Sequence, residues 1–296
     1  MRAVRGGLFA DALGPRGRRR VAVASAAAAV VLVAVVGLAL RRLAAAGQLD
    51  AELWSPLTDP RVLRFFVGGA RNTVVAAGAG MVGALVLGLV LAIGRLSRTA
   101  LVRWTAGAWV QFFRAFPLLL LLLFLAFGLP AYGIDLALLW TVVLALSLYN
   151  SAVLGEIFRA GILSLDRGQT EAAYAVGLGY WSTLRLVVVP QALRRMVPAI
   201  VSQLVTLLKD TSLGYFVLYE ELLRRGVLAG QDFGNTLQSL LVVAAMYVAM
   251  NLVLSRVARR LEVRQRRRYR AGGIDVTGGP EDLVAVEPRP APAGGG

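Results

Sequence analysis

Long apolar stretches dominate this sequence and decide the solvent in which the chain folds. A helix needs about 20 predominantly apolar residues to cross a hydrocarbon core of roughly 30 Å. Six stretches reach that length: Val21 to Leu40, Val67 to Gly94, Ala108 to Gly128, Leu136 to Phe158, Val197 to Val217 and Thr236 to Ser255. Apolar residues make up 57% of the 296 residues, more than a soluble globule carries. The sequence therefore predicts an all-α integral membrane protein with about six transmembrane helices.

The basic residues predict the orientation of these helices. The chain has 32 Lys and Arg against 17 Asp and Glu, a net charge of +15. If both termini are cytoplasmic, 23 basic residues lie on the cytoplasmic side and seven on the outside, which is the bias of the positive-inside rule. Topology and attraction to anionic lipid account for the charge, so we expect no nucleic acid partner.

Several residue types are absent, and their absence excludes much of enzyme chemistry. The sequence has no Cys and no His, which removes thiolate and imidazole metal sites, Cys and His nucleophiles, and disulfides. The only lysine is Lys209, between Leu208 and Asp210, so the Gly-Lys-Ser/Thr of an ATP-binding Walker A loop is also missing.

The two ends of the chain differ from its apolar middle. Residues 1–20 are predicted as a basic cytoplasmic tail, and residues 21–40 as an additional N-terminal transmembrane helix. A secretory signal is the alternative, because small residues at 44–46 resemble a cleavage site, but its apolar region would be only about 7 to 15 residues long. Residues 261–296 are predicted as a basic run followed by a disordered tail.

A stripe of small residues lies in the second apolar stretch. It recurs every four residues, at Gly80, Ala84, Gly88 and Ala92. Such spacing places the four on one helix face, where small side chains permit the close van der Waals contact that joins helices in lipid. Packing within one subunit is the favoured interpretation, and a subunit interface is the alternative.

The longest predicted cytoplasmic connection, residues 159–197, carries signals for a short helix. Thr170 is a suitable N-cap, Glu171 places negative charge at the positive end of a helix, and two alanines follow. Gly177 and Gly179 are predicted to stop the helix after about two turns. The sequence thus predicts a short helix exposed on the cytoplasmic surface.

This connection resembles the signature of ABC importer permeases, which is Glu-Ala-Ala, three residues, Gly, nine residues and Ile-x-Leu-Pro. The matching positions are Glu171, Ala172, Ala173, Gly177, Val187, Val188, Val189 and Pro190. Val replaces both Ile and Leu. The resemblance implies that the short helix docks in a cleft of an ATPase subunit. The residues that we assign to ATPase coupling are Glu171, Ala172, Ala173, Gly177, Leu178, Gly179 and Pro190. The alternative is that residues 159–197 are only a connector, in which the glycines allow the chain to turn.

Further segments resemble the branch of that family which takes up histidine, glutamine, glutamate, arginine and related solutes. These segments are residues 69–73, 113–119, 156–162, 168–173 and 208–213. The resemblance covers residues 65–260 and implies a type I ABC permease domain, with 159–197 as its cytoplasmic coupling loop. Some glutamate permeases of the branch have a comparable extra first helix, which favours glutamate as the solute.

Polar residues inside the fifth stretch point to the translocation path. A charge at the bilayer centre costs about 2.5 to 3.5 kcal/mol, so charged residues in spans usually face a cavity or a partner. Lys209 lies near mid-depth and is followed by Asp210, Thr211 and Ser212. A cation there suits a substrate carboxylate through charge-assisted hydrogen bonds. We therefore assign these four residues to the substrate path.

Two further charged residues lie near the cytoplasmic ends of the third and fourth stretches. We predict that Arg114 and Glu156 form an ion pair near an inner gate on the substrate path; an ion pair that only joins helices is the alternative. Pro117 and Pro190 lack an amide donor and are predicted to bend or end helices.

Together these features predict the permease subunit of an ATP-driven amino acid importer in a bacterial inner membrane. We expect no catalytic residue, no metal and no cofactor in this chain. The resemblance implies as partners a cytoplasmic ATPase dimer, a second permease that is identical or homologous, an extracytoplasmic substrate-binding protein, a polar amino acid and membrane lipid. The implied mechanism is alternating access. The main alternative is an ion-coupled secondary transporter. A second alternative is an intramembrane enzyme that uses Lys209 and Ser212 as a catalytic dyad.

Overall fold

The computed structural model describes residues 14–270, and every secondary-structure element in that range is a helix. The α-helices are α1 (Pro15–Ala45), α2 (Ala51–Trp54), α3 (Pro60–Arg95), α4 (Ala100–Ala115), α5 (Leu118–Leu123), α6 (Leu138–Leu163), α7 (Arg167–Ala175), α8 (Tyr180–Thr183), α9 (Val189–Asp210), α10 (Leu222–Asp232) and α11 (Thr236–Arg270). Short 3₁₀ segments cover Ser55–Thr58, Pro130–Tyr132 and Thr211–Val217. Phe124–Gly128 and Leu184–Val188 are π-helical.

Four of the described helices are long and apolar enough to cross a bilayer, namely α1, α3, α6 and α11 up to Arg260. A fifth candidate is α4 followed by the segment Leu118–Tyr132, two parts that meet at an angle of 100°. The fifth predicted stretch, Val197 to Val217, begins in α9 and ends in the following 3₁₀ segment. The predicted all-α membrane architecture is therefore confirmed.

The two prolines singled out in the sequence have different effects. Pro117 separates α4 from α5 and lies at the bend of 100°, as predicted for a residue without an amide donor. Pro190 instead lies in the first turn of α9. An amide has no partner in the helix at that position, so proline is tolerated there. The π-helical segment Leu184–Val188 ends two residues before Pro190, and a bend at Pro190 stays a prediction.

Both ends of the chain are more helical than expected. α1 begins at Pro15, so residues 15–20 extend the predicted first transmembrane helix, while residues 1–13 of the predicted tail lie outside the described residues. α11 continues to Arg270 and includes the basic run. The disordered tail predicted beyond it, residues 271–296, also lies outside the described residues.

The stripe of small residues on α3 packs against α6. Its four members are buried. A Cβ on Gly80 would lie 3.0 Å from the Cβ of Leu146, and one on Gly88 would lie 2.9 Å from the Cβ of Leu154. The two contacts advance along both helices in the same direction, so α3 and α6 are parallel. Packing within one subunit, the favoured interpretation of this stripe, is confirmed.

Candidate functional site

The predicted short helix is present as α7, but it begins earlier than expected. Asp166 is its N-cap and accepts a hydrogen bond of 2.9 Å from the amide of Gly168. Thr170, the predicted N-cap, lies inside the helix. Asp caps helices at least as well as Thr. Asp166 also lies only three residues after Leu163, the last residue of α6, so the connection between α6 and α7 is short. Glu171 consequently lies in the middle of α7.

The end of α7 agrees with the sequence prediction. Gly177 has a φ of 83°, a left-handed conformation that glycine adopts without a steric penalty. Its amide donates to the carbonyl of Tyr174 at 2.9 Å, and the amide of Leu178 donates to that of Ala173 at 3.1 Å. These two bonds form a Schellman motif, which satisfies carbonyls at a helix C-terminus. Gly179 then precedes α8.

α7 presents most of its surface outward. Glu171 and Ala172 are exposed, as are Gly177 and Gly179, whereas Ala173 is buried and Leu178 is half-buried. Next to them Tyr174 and Val176 are exposed, Val176 by 77%. Apolar side chains grouped on an exposed surface are typical of protein–protein contacts.

One face of α9 is both polar and exposed. Ser202, Thr206 and Lys209 are exposed, and their spacing of four and three residues aligns them on the same side of the helix. Asp210, the last residue of α9, is half-buried. Among the described residues, no ion pair involves Lys209.

The other half of this polar motif points inward. The α-helix ends at Asp210 and continues as a 3₁₀ helix. Thr211 is fully buried, and its hydroxyl donates to the carbonyl of Leu208 at 2.6 Å, while Ser212 is half-buried. Lys209 and Thr211 thus face different surroundings.

The predicted ion pair between Arg114 and Glu156 is wrong. Glu156 instead pairs with Arg95 at the end of α3 and with Arg159 one turn further along α6, the latter at 2.6 Å. Arg114 is exposed on α4. The parallel packing of α3 on α6 brings Arg95 to the same end as Glu156, and sequence reasoning about single spans did not include that packing.

A polar contact between α6 and α9 was also missed. The side-chain amide of Gln203 donates to Asn150 Oδ1 at 2.6 Å, and Asn150 is fully buried. Each residue is a polar one in a predicted apolar stretch, which was a usable signal.

The connection after the 3₁₀ segment is fixed by a buried carboxylate. Glu221 is fully buried and accepts hydrogen bonds from the amides of Leu223 and Arg224, at 2.8 and 2.7 Å, and from the hydroxyl of Tyr247, at 2.6 Å. Burial raises the pKa of Glu221, whereas these hydrogen bonds act to lower it. The carboxylate caps α10 and joins it to α11.

The described residues form a bundle of apolar helices, with a short exposed helix on one side and a polar outward face on α9. Residues 84–267 match the family model "Binding-protein-dependent transport system inner membrane component". The match covers more than half of the chain, and the chain belongs to this family.

Two relatives and one solved structure indicate which members of the family this chain is similar to. The chain is 37% identical to the glutamate transport system permease protein GluD of Corynebacterium glutamicum, over 78% of this chain and 84% of that protein. It is 41% identical to the probable glutamine ABC transporter permease protein GlnP of Bacillus subtilis, over 69% and 94%. A crystal structure of an amino acid ABC transporter with histidines superimposes with a TM-score of 0.65, at 26% identity, covering 69% of this chain and 95% of that one.

Proposed function

We propose that this chain is the permease subunit of an ATP-driven importer that carries a polar amino acid, with glutamate as the favoured solute, across a bacterial inner membrane. The observation that carries the proposal is the polar outward face of α9. A lysine exposed to lipid at mid-depth would be costly, so such a residue faces water or protein. That face is suited to line a path that a second permease subunit completes.

α7 supports the link to ATP. It is short, exposed and bordered by apolar side chains, which suits insertion into a cleft of a cytoplasmic ATPase. Two such clefts in an ATPase dimer would require two permease chains, identical or homologous. An extracytoplasmic binding protein would then deliver the solute. Hydrolysis of ATP takes place in the partner, and this chain supplies the path by alternating access.

Lys209, Asp210 and Ser212 are the candidates for contact with the solute. Lys209 is a cation that can donate charge-assisted hydrogen bonds to a carboxylate, and Asp210 is a carboxylate that can accept from an ammonium group. Thr211 lies on the inner side of these residues, because its side chain is buried. Glutamate is favoured because a similar permease is named for glutamate and because the exposed group at mid-depth is basic.

Uptake of labelled glutamate into proteoliposomes tests the proposal, with the permease, its ATPase and its binding protein purified together. We expect Lys209→Met to lower uptake about tenfold or more, the size expected for a lost hydrogen bond to a charged group, while recovery of the complex is unchanged. Val82→Met, on the outward face of α3, is the matched control. Normal uptake by Lys209→Met would refute the role of Lys209.

The same assay separates the alternative mechanism and the alternative solutes. Uptake that needs an ion gradient and persists without the ATPase would establish a secondary transporter. Competition by unlabelled glutamate, aspartate, glutamine and arginine would identify the solute, and stronger competition by arginine than by glutamate would overturn the preference for glutamate.

A further inference from the structure

Two polar side chains on the first turns of α9 join this helix to the elements before it. The side-chain amide of Gln191 donates to Gln169 Oε1 in α7 at 3.2 Å. The guanidinium of Arg195 donates to the carbonyl oxygen of Ser164, and it lies 3.4 Å from the Ser164 hydroxyl. Gln191 and Arg195 are four residues apart and share one face of α9. That face therefore contacts both the coupling helix and the end of α6.

The contact between Arg195 and Ser164 has features that stabilise it. Ser164 directly follows α6 and is its C-cap, where helix carbonyls lack partners within the helix. A cation is favourable at a helix C-terminus. Alongside this contact, Gly161 of α6 leaves room that the side chain of Met196 occupies, since a Cβ on Gly161 would overlap it. The start of α9 is thus held to α6 by charge and by packing.

The contact with α7 is weaker than the contact with Ser164. It is a single hydrogen bond between two uncharged amides on the exposed surface. Bonds of that kind contribute less to stability than bonds to charged groups. The bond nevertheless joins the helix proposed to meet the ATPase directly to the helix that carries Lys209.

The chain between this link and Lys209 is continuous helix. α9 has 22 residues, a length of about 33 Å at 1.5 Å per residue. The link lies in its first turn, and Lys209 lies in its last. Pro198 lies inside this stretch of α9 and lacks the amide that would bond to the preceding turn, but the helix continues through it, so a displacement of its first turn reaches Lys209.

We propose that Gln191 and Arg195 are positioning residues that form a two-point clasp, in which Arg195 anchors α9 to α6 and Gln191 connects α9 to α7. When the ATPase displaces α7, the Gln191–Gln169 bond carries the movement to α9 and so to the face that bears Lys209. This inference rests on the proposed function, because it requires an ATPase that moves α7.

The test measures ATP hydrolysed per solute transported, in proteoliposomes that contain the complete complex. Gln191→Leu and Gln169→Leu each remove one side of the bond and keep a side chain of similar length. We expect either change to raise the ratio of ATP to solute by about two- to tenfold, as for the loss of one neutral hydrogen bond. The double variant is expected to match the single variants, because the two residues act through one contact.

Two further variants separate a positioning role from a general loss of structure. Exchanging the pair for Gln169→Glu with Gln191→Lys replaces the amide bond by an ion pair, and we expect it to restore the ratio of the unaltered complex. Gln111→Leu, an exposed glutamine on α4, is the matched control and should leave the ratio unchanged. If leucine at 191 hinders assembly, the exchanged pair alone decides: restored coupling supports the clasp, and a raised ratio overturns it.

The outcomes distinguish the two proposals. Failure of the unaltered complex to couple ATP to uptake would overturn the proposed function, and the clasp with it. A coupled unaltered complex beside an unchanged ratio in Gln191→Leu would overturn the clasp alone. Additive effects in the double variant would also overturn it, because the two glutamines would then act separately.

Discussion

The outward faces of α3 and α9 differ, although both helices are predicted to lie in the same bilayer. α3 exposes valines, among them Val82 and Val86, and packs its small residues inward against α6. α9 exposes Ser202, Thr206 and Lys209. Because lipid accepts apolar side chains and penalises charged ones, the difference predicts that the face of α3 meets lipid and that the face of α9 meets water or a second subunit. Exposure in a single chain does not by itself mean exposure to lipid.

The largest expected effect comes from placing a lysine on each face. Val82→Lys puts a charge where α3 meets lipid, and we expect a cost of about 2.5 to 3.5 kcal/mol on membrane insertion. Thr206→Lys puts the same charge on α9, one turn from Lys209, where we expect little cost. Quantifying membrane-inserted protein after expression checks both. Equal loss of insertion at the two sites would contradict the proposed difference between the two faces, since α9 would then face lipid as α3 does.

The next largest effect is expected from replacing glycine by alanine on the face of α3 that packs against α6, compared with the same change on its open face. Gly88→Ala would place a Cβ 2.9 Å from the Cβ of Leu154 and 3.1 Å from the backbone nitrogen of Gly155. Backbone cannot yield cheaply, so we expect a loss of about 1 to 3 kcal/mol in stability. Gly78→Ala meets nothing within 4 Å and is the matched control. Thermal unfolding in detergent measures both, and a stable Gly88→Ala would show that α3 and α6 lie further apart.

A smaller effect is expected from the arginines at the cytoplasmic side. Arg95 pairs with Glu156, and the two side chains remain 19% and 28% exposed. Solvent screens such pairs, so we expect Arg95→Met to cost about 1 kcal/mol. Arg114→Met removes an exposed cation and should cost less. A larger loss of thermal stability in Arg114→Met than in Arg95→Met would restore the pairing that the sequence favoured and contradict the parallel packing of α3 on α6.

Local signals predicted much of this molecule, and contacts between distant segments were harder to predict. Gly177 was identified as the end of α7 because a left-handed turn is a local property. Pro117 was recognised as a bend for the same reason. The partner of Glu156 was missed because it depends on how two helices lie side by side, and a charged residue in one span has several candidate partners in others.

The polar motif at the end of α9 shows the same limit. Its residue types predicted a polar site at mid-depth, but the change from α-helix to 3₁₀ helix after Asp210 decides which side chains face outward. Thr211 turned out to be buried against the bundle, and Lys209 exposed. Sequence alone assigned both to one path, because a regular helix was assumed throughout the fifth stretch.

The smallest expected effect tests a single hydrogen bond on the inward side of α3. The hydroxyl of Ser147 donates to the carbonyl of Gly80 at 3.2 Å, and both residues are buried. Side-chain hydrogen bonds between membrane helices contribute about 0.6 kcal/mol on average, and we expect Ser147→Ala to lose that amount. Ser202→Ala is the matched control, because its hydroxyl bonds within α9 at an exposed position. Equal melting temperatures for the two variants would mean that close packing of small residues alone, without this hydrogen bond, holds α3 to α6.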